Sequence, residues 1–332
     1  MTIKRRLSLV VLSVILVAPA GAAALDKFTV VHSSVSGSQA VLFVTKDAKI
    51  FEKHGLDVDI KFIAGGPPAM QALLAGEVQA AVMAGPASVT ARLGGADVAV
   101  VMALVNTMDH LAFAQKAVRQ PTDLKGKKIA ISRLNSADDF AIRFALRKWG
   151  LSPERDVTIL QIGEQPQRLT ALRAGTVDAT LIQPPLTAVA RKEGFTEMAA
   201  LADLGLEYLQ TVVTTSGSVI RTREDQLRRF VRAFVEGIHF YKTNREASVT
   251  SIGKFMKLTD TGAVEEAYRT YALKFTQRVP YPTAKGVQTI LEDLAQRDER
   301  AKGVKPEQFI EPRFLKELED SGFVDRLYRG GS

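Results

Sequence analysis

Four serines follow an apolar, β-branched run in the stretch FTVVHSSVSGSQ: Ser33, Ser34, Ser36 and Ser38. Hydroxyls placed there can donate to an oxyanion. A strand that ends in a loop before a helix adds free backbone N–H groups and the positive end of the helix dipole. Serine is also an ordinary turn and N-cap residue, so each one singly has a structural explanation. A second junction of this kind is KIAISRLNSADDF, where Arg133, Asn135 and Ser136 follow a strand from Lys128. A guanidinium fork suits a carboxylate or a sulfonate. Its competing partners are Asp138 and Asp139, which also favour the dipole of the helix they open. Gly65 and Gly66, and Gly85 further on, permit close backbone approach to a ligand or a plain tight turn.

A repeat shows which elements must position these residues. ALLAGEVQAAVMAGP begins at Ala72, and ALRAGTVDATLIQPP begins at Ala171 with about half its positions matching. Each copy reads as a helix, a glycine C-cap (Gly76, Gly175), a buried strand and a loop into the next helix. The loops lie beyond strand carboxyl ends, where open α/β sheets bind ligands. Gln183 stands in the second copy where the first has Ala84, and it faces the cleft or the lobe base depending on register.

Around the repeat the chain alternates strand and helix, breaks at PTDLKGK, and alternates again. This pattern predicts two α/β lobes, each with a mostly parallel sheet flanked by helices. Segments near Asn106–Phe113 and Thr211–Ser216 are expected to join the lobes, with Asn106 and Thr214 able to face the cleft. The boundaries read as 25–108 for the first part of lobe 1, 109–213 for lobe 2, and 214–332 for the return to lobe 1 with C-terminal helices.

Composition narrows the function. The chain has 332 residues, 46% of them hydrophobic, enough for a sizeable core. It has no cysteine, which excludes disulfides and thiolate catalysis. Lys4, Arg5 and Arg6 precede an apolar run, Leu7–Val17, and small residues follow at Ala22 and Ala24, with Ala18 and Ala20 as the competing cleavage site. Residues 1–24 therefore read as a signal peptide, and the mature chain is expected to be exported. The net charge of +8 falls to about +5 without the leader. Its basic residues are interspersed with acids and form no aromatic-studded patch, so nucleic-acid binding is not expected. His32, His54, His110 and His239 show no metal-ligand spacing, and no cofactor motif is present. His32 beside Ser33 suggests a hydrolase only weakly, because adjacent strand residues face opposite ways.

AVLFVTKDAKIFEKHGLDVDIKFIAGGPPAMQALLAGEVQAAV, with DLKGKKIAIS and FALRKWGLSPERDVTILQIGEQPQRLTALRAGTVDATLIQPP, resembles solute-binding proteins of the nitrate/sulfonate/taurine type, the NMT1/THI5-like group. The resemblance covers nearly the whole mature chain. It implies the type II periplasmic-binding-protein fold with a two-strand hinge, and a monomeric, non-enzymatic, cofactor-free receptor in the periplasm that delivers a ligand to the membrane permease of an ABC importer. Capture would be by hinge closure on a small organic anion: a sulfonate, a taurine-like molecule or a carboxylate. The same group includes binders of thiamine precursors, and a sensor docking a membrane receptor would look alike. Pyrimidine-precursor synthases share the overall fold, but they are cytosolic and use a cysteine-rich motif.

Overall fold

Buried β-branched runs and glycine-capped helices alternate as the sequence predicts. The structure is a computed structural model and describes residues 24–329. The expected leader lies outside these residues except for Ala24. Strand β1 (Asp26–His32) is followed by α1 (Ala40–Asp47) and α2 (Ile50–Lys53). Then come β2 (Leu56–Phe62), α3 (Gly66–Leu74), β3 (Ala80–Met83), α4 (Gly85–Leu93) and β4 (Val98–Thr107). The chain crosses to the second lobe through Met108–His110 and forms β5 (Leu111–Ala114). There β6 (Lys128–Ile131), α5 (Ala137–Lys148), β7 (Thr158–Gln161) and α6 (Gln165–Arg173) repeat the scheme. It closes with β8 (Ala179–Ile182), α7 (Leu186–Lys192) and β9 (Thr196–Ala200).

The return strand β10 (Glu207–Ser216) enters the first sheet. The strand orders are β2-β1-β3-β10-β4 and β7-β6-β8-β5-β9. In each sheet the fourth position is held by the strand that has just crossed from the other lobe, running antiparallel to both neighbours. The two sheets are one wiring diagram used twice. Gln79 and Asp178, equivalent positions of the sequence repeat, do the same work. The Gln79 side chain accepts the Thr29 N–H at 2.7 Å, and the Asp178 side chain accepts the Lys128 N–H at 2.8 Å, so each aligns the neighbouring parallel strand. Gly76 and Gly175, at φ 75° and 69°, end the preceding helices in the left-handed region that favours glycine.

The second crossing comes earlier than the sequence suggested. Thr211–Ser216 lies within the first sheet, and the chain returns through Leu201–Leu206, so the lobe boundary falls near 206 and not 213. The apolar run of β10 begins at Tyr208, and burial in the first sheet decides its allegiance. The two crossings are tied together: Leu201 N donates to His110 O at 2.9 Å, and Thr107 pairs with Glu207.

The remaining chain is helical: α8 (Gly217–Thr222), α9 (Glu224–Thr243), α10 (Arg245–Met256), α11 (Thr261–Tyr268), α12 (Ala284–Leu294), α13 (Arg313–Asp320) and α14 (Phe323–Arg329). Its apolar faces cover the first lobe. Phe230 of α9 stacks on Phe28 of β1 at a 4.6 Å centroid distance and on Phe51 of α2 at 5.4 Å. Aromatic stacking of this kind adds to the hydrophobic gain of fully burying the rings. Gly237 lets α9 approach α1, since a Cβ there would stand 2.0 Å from Thr45 Oγ1. Among the described residues, no helix is long and apolar enough to cross a membrane.

Candidate functional site

Strand carboxyl ends from both lobes meet across a cleft with the crossings at its base. After β1 the chain turns through Ser33–Ser36 and a short 3-10 turn, Gly37–Gln39. The turn is internally bonded. Gln39 Nε2 donates to Ser33 Oγ at 3.4 Å, Gln39 Oε1 accepts the Ser34 N–H at 3.3 Å, and the Ser36 and Ser38 hydroxyls lie 2.7 Å apart. Gly65 adopts φ 87° and donates its N–H to Ser33 O at 2.9 Å, which draws the second loop against the first. Ser33, Ser34, Ser36 and Ser38, with Gly65 and Gly66, form the first lobe's wall of the cavity.

The second lobe supplies a wall with charges. Arg168 of α6 is 2% exposed and lies 2.9 Å from Asp138 of α5, itself 4% exposed. Arg168 also donates to Gly163 O at 2.8 Å and to Leu181 O at 3.1 Å. Asp138 accepts the Ser132 N–H and hydroxyl, both at 2.6 Å, and contacts the Ser136 hydroxyl. Burial alone would raise the Asp138 carboxyl, but Arg168, then Ser132 and Ser136, outweigh it and hold the group below its ordinary range. The ion pair therefore stands complete, with its charges mutually cancelled. Glu164, at the N-cap of α6, is the remaining acid of the wall. Burial raises its pKa, against the opposing pull of Arg168 and the Ser34 hydroxyl across the cleft.

At the base, Gln183 ends β8 inside a relay. Its Nε2 donates to Asp109 Oδ1 at 2.6 Å, its Oε1 accepts from Gln165 Nε2 at 2.9 Å, and its N–H donates to Gln165 Oε1 at 2.6 Å. Asp109 is buried in the crossing, and burial pushes its pKa up to about 7 against the pull of Gln183 and the Tyr271 phenol. Burial lowers the neighbouring His110 to about 4, with Asp138 opposing and Arg168 adding to the shift, so its imidazole is neutral at pH 7. The cavity enclosed by these groups is about 50 Å³ to a water-sized sphere, room for a few water molecules or a compact ligand. The lobes touch around it: Gly37 N donates to Pro184 O at 3.3 Å, and Arg191 reaches Glu266 at 2.9 Å.

The structure sorts the residues singled out in the sequence. Ser33, Ser34, Ser36, Ser38, Gly65, Gly66, Ser136 and Gln183 line the cavity; Gly85, Asn106, Arg133, Asn135 and Thr214 do not. Arg133 is exposed, with its methylenes across Gly65, whose Cβ would come within 3.0 Å of Arg133 Cδ. Asn135 is exposed on an outer cleft and donates its N–H to Asp139. Gly85 is a packing glycine, because a Cβ there would stand 2.6 Å from Leu209 Cβ. Asn106 turns away to donate to Tyr281 O at 3.1 Å, and Thr214 is sealed in the first sheet, 2.7 Å from Ser88 Oγ. Thr214 faces the packing of β10 against α4, and Asn106, near the end of β4, is held towards the segment that precedes α12. His32 sits among Phe43, Phe62 and Phe255, with ring centroids 4.9 to 5.5 Å away, and its Nδ1 meets Ser34 O, so it is not poised to activate a serine.

Sequence reasoning missed Arg168, Glu164, Gln210 and the cavity-facing role of His110. One signal for Arg168 was available. It lies in the first turn of α6, where a cation opposes the helix dipole, so a compensating partner had to exist elsewhere. Among the described residues, no group of three His, Asp or Glu is placed to hold a metal.

Residues 38–248 match a family model described as NMT1/THI5 like. A Brucella abortus chain, known only by a provisional binding-protein description, is 26% identical over 69% of this chain and 71% of its own length. The alkanesulfonate-binding protein of Xanthomonas axonopodis, solved with MOPS bound, superposes with a TM-score of 0.72 at 19% identity, covering 88% of this chain and 100% of that one. The periplasmic nitrate-binding protein of Synechocystis superposes with a TM-score of 0.73 at 12% identity, covering 90% and 89%. At these identities the likeness shows a shared two-lobed fold.

Proposed function

From the premise that this chain belongs to the NMT1/THI5-like family and has the two-lobed fold of periplasmic binding proteins, we propose that it is the substrate-binding component of an ABC importer. In this reading the leader exports it, it works in the periplasm as a monomer, and it presents a captured small organic molecule to a membrane permease. The carrying observation is the composition of the cavity wall. Serine hydroxyls and glycine loops come from the first lobe, Ser136, Gln183 and Glu164 from the second, and His110 from the crossing between them. A ligand there touches both lobes only when they are together, so its binding energy favours the closed state by its differential affinity.

The expectation of an organic anion rested on the serine loop, the helix N-termini, Arg133 and the resemblance, and of these residues Arg133 lies outside the cavity. The serine loop still suits a ligand oxygen. No reaction is proposed: the cavity wall holds hydroxyls, but His110 is the single imidazole among its lining residues, and among the described residues the serine hydroxyls bond to one another, to Gln39 and to Asp138 and not to that ring. The test is a thermal-shift screen of the chain from Leu25 against sulfonates, carboxylates, amino-sulfonates, nitrate and thiamine precursors. A ligand at 100 to 1,000 times its Kd stabilises by about 3 to 4 kcal/mol. A ligand so found, whose affinity is untouched by both Ser136→Ala and Gln183→Ala, would place binding outside this cavity and sink the reading.

A further inference from the structure

We infer that the two helical seams joining the lobes have different duties: the seam of α5 with α12 is a bearing that stays shut, and the seam of α7 with α11 is a gate held by ion pairs, so that the cavity opens by rotation about the first and parting of the second. This goes beyond the receptor reading and does not depend on which ligand the cavity takes. The first ground is where the apolar core is continuous. Among the described residues, three buried apolar clusters each stay within one lobe, and a fourth runs through both. Phe140 of α5 belongs to that fourth cluster, with Ile290 and Leu294 of α12. Its ring stacks on Tyr208 of β10 at a centroid distance of 4.5 Å and 19° from parallel, and the two residues are 3% and 0% exposed. At the rim Arg147 of α5 lies 2.7 Å from Asp293 of α12. Parting this seam would carry two large rings from a packed core into water, which is strongly unfavourable.

The α7–α11 seam is built differently. Leu186 and Ala190 of α7 are buried in the second lobe's own cluster, and Val264 and Ala267 of α11 in the first lobe's, so the two helices turn their apolar faces away from each other. What crosses between them is polar. Arg191 Nη1 and Thr187 Oγ1 both donate to Glu266 Oε1 at 2.9 Å, and Lys192 pairs with Asp260. The stretch begins at Pro184, whose carbonyl accepts the Gly37 N–H at 3.3 Å. Solvated ion pairs of this kind are individually weak, so they close the seam without locking it. The paired groups also keep partners within their own lobes. Arg191 Nε donates to Glu197 at 2.6 Å, and the Asp260 carboxylate caps α11 by accepting the Ala263 N–H at 3.1 Å. Water can therefore replace the contacts across this seam without leaving a charge buried and alone.

The experiment measures distances across both seams by electron paramagnetic resonance on the full mature chain. The sequence has no cysteine, so introduced pairs carry the nitroxide labels at defined positions. Glu193→Cys with Thr261→Cys reports on the gate, and Lys148→Cys with Gln296→Cys on the bearing; all four positions are exposed. Each pair is placed in the otherwise native chain and in the double variant Arg191→Gln, Lys192→Gln, which removes the ion pairs across the gate and leaves Thr187 and the cap of α11 in place. Both changes are at exposed positions, and the melting temperature checks that the variant folds. The double variant is expected to shift weight in the gate distribution to distances longer by at least one helical pitch, about 5 Å, while the bearing distribution stays where it was. A gate distribution identical in the two backgrounds overturns the inference, and so does a bearing distance that lengthens as much as the gate. No ligand enters the measurement, so its failure would leave the receptor reading standing.

Discussion

Asp109 and His110 are adjacent, both buried in the crossing, and they respond to pH in opposite senses. The perturbation that separates them is Asp109→Asn, which preserves an oxygen to accept the 2.6 Å bond from Gln183. Burial raises Asp109 from 3.8 to about 7, so the native state keeps a proton that the unfolded chain releases. A raised acid loses stability as pH climbs from the unfolded to the folded pKa. Between pH 4.5 and 6.5 that loss comes to about 2 kcal/mol, at 1.36 kcal/mol per pKa unit. His110, lowered from 6.5 to about 4, does the reverse: the unfolded chain holds the proton that the native state refuses. Over the same window it adds about 2 kcal/mol as pH rises. The two contributions nearly cancel in the wild type. Asp109→Asn leaves His110 unopposed, while every other titrating group is common to both proteins. The assay is urea unfolding of both at pH 4.5 and 6.5. The stability of the variant relative to the wild type should rise by about 2 kcal/mol between the two. A difference that stays constant across this range would refute the burial-driven shift of Asp109.

The two arginines make a contrasting pair. Arg168→Ala strands a buried carboxylate and should cost about 3 to 5 kcal/mol, whereas Arg133→Ala, at an exposed position, should change stability by no more than about 0.5 kcal/mol; chemical denaturation reads both, and equal effects would contradict the assignment of the buried pair. Gly37→Ala places a Cβ 2.9 Å from Pro184 O and closer still to the Tyr271 ring, so it should hold the lobes apart and enlarge the radius of gyration in small-angle scattering; a folded variant with an unchanged radius would show that this contact does not set lobe closure. Gly237→Ala forces a methyl onto Thr45 and should lower stability by about 1 to 3 kcal/mol through overpacking, read from the urea midpoint; an unchanged midpoint would show that α1 and α9 can separate freely.

Much of the architecture was legible because local rules and the global fold agree. The repeat from Ala72 and Ala171 forecast a duplicated unit, and its glycines do cap helices in the left-handed region. The serines after β1 were found because strand ends in α/β sheets gather at one edge. Legibility failed at the crossings and at the charges. β10 reads as an apolar strand whichever sheet it joins, and only its pairing with β3 and β4 assigns it to the first. Arg133 and Arg168 are equal as letters, both near helix N-termini that face the cleft. Their fates differ because Arg168 is placed against Asp138, three elements of chain (α5, β7 and α6) having folded to bring 30 residues of separation down to 2.9 Å, while Arg133 lies across the mouth over Gly65.

By itself, then, the amino-acid sequence determined the periodicities: where strands and helices run, where glycine must stop them, and that the scheme is used twice. Tertiary structure alone decided which polar groups share a cavity and which charges cancel within it. Period and propensity act over a few residues, whereas burial and ion pairing depend on distances between elements far apart in the chain.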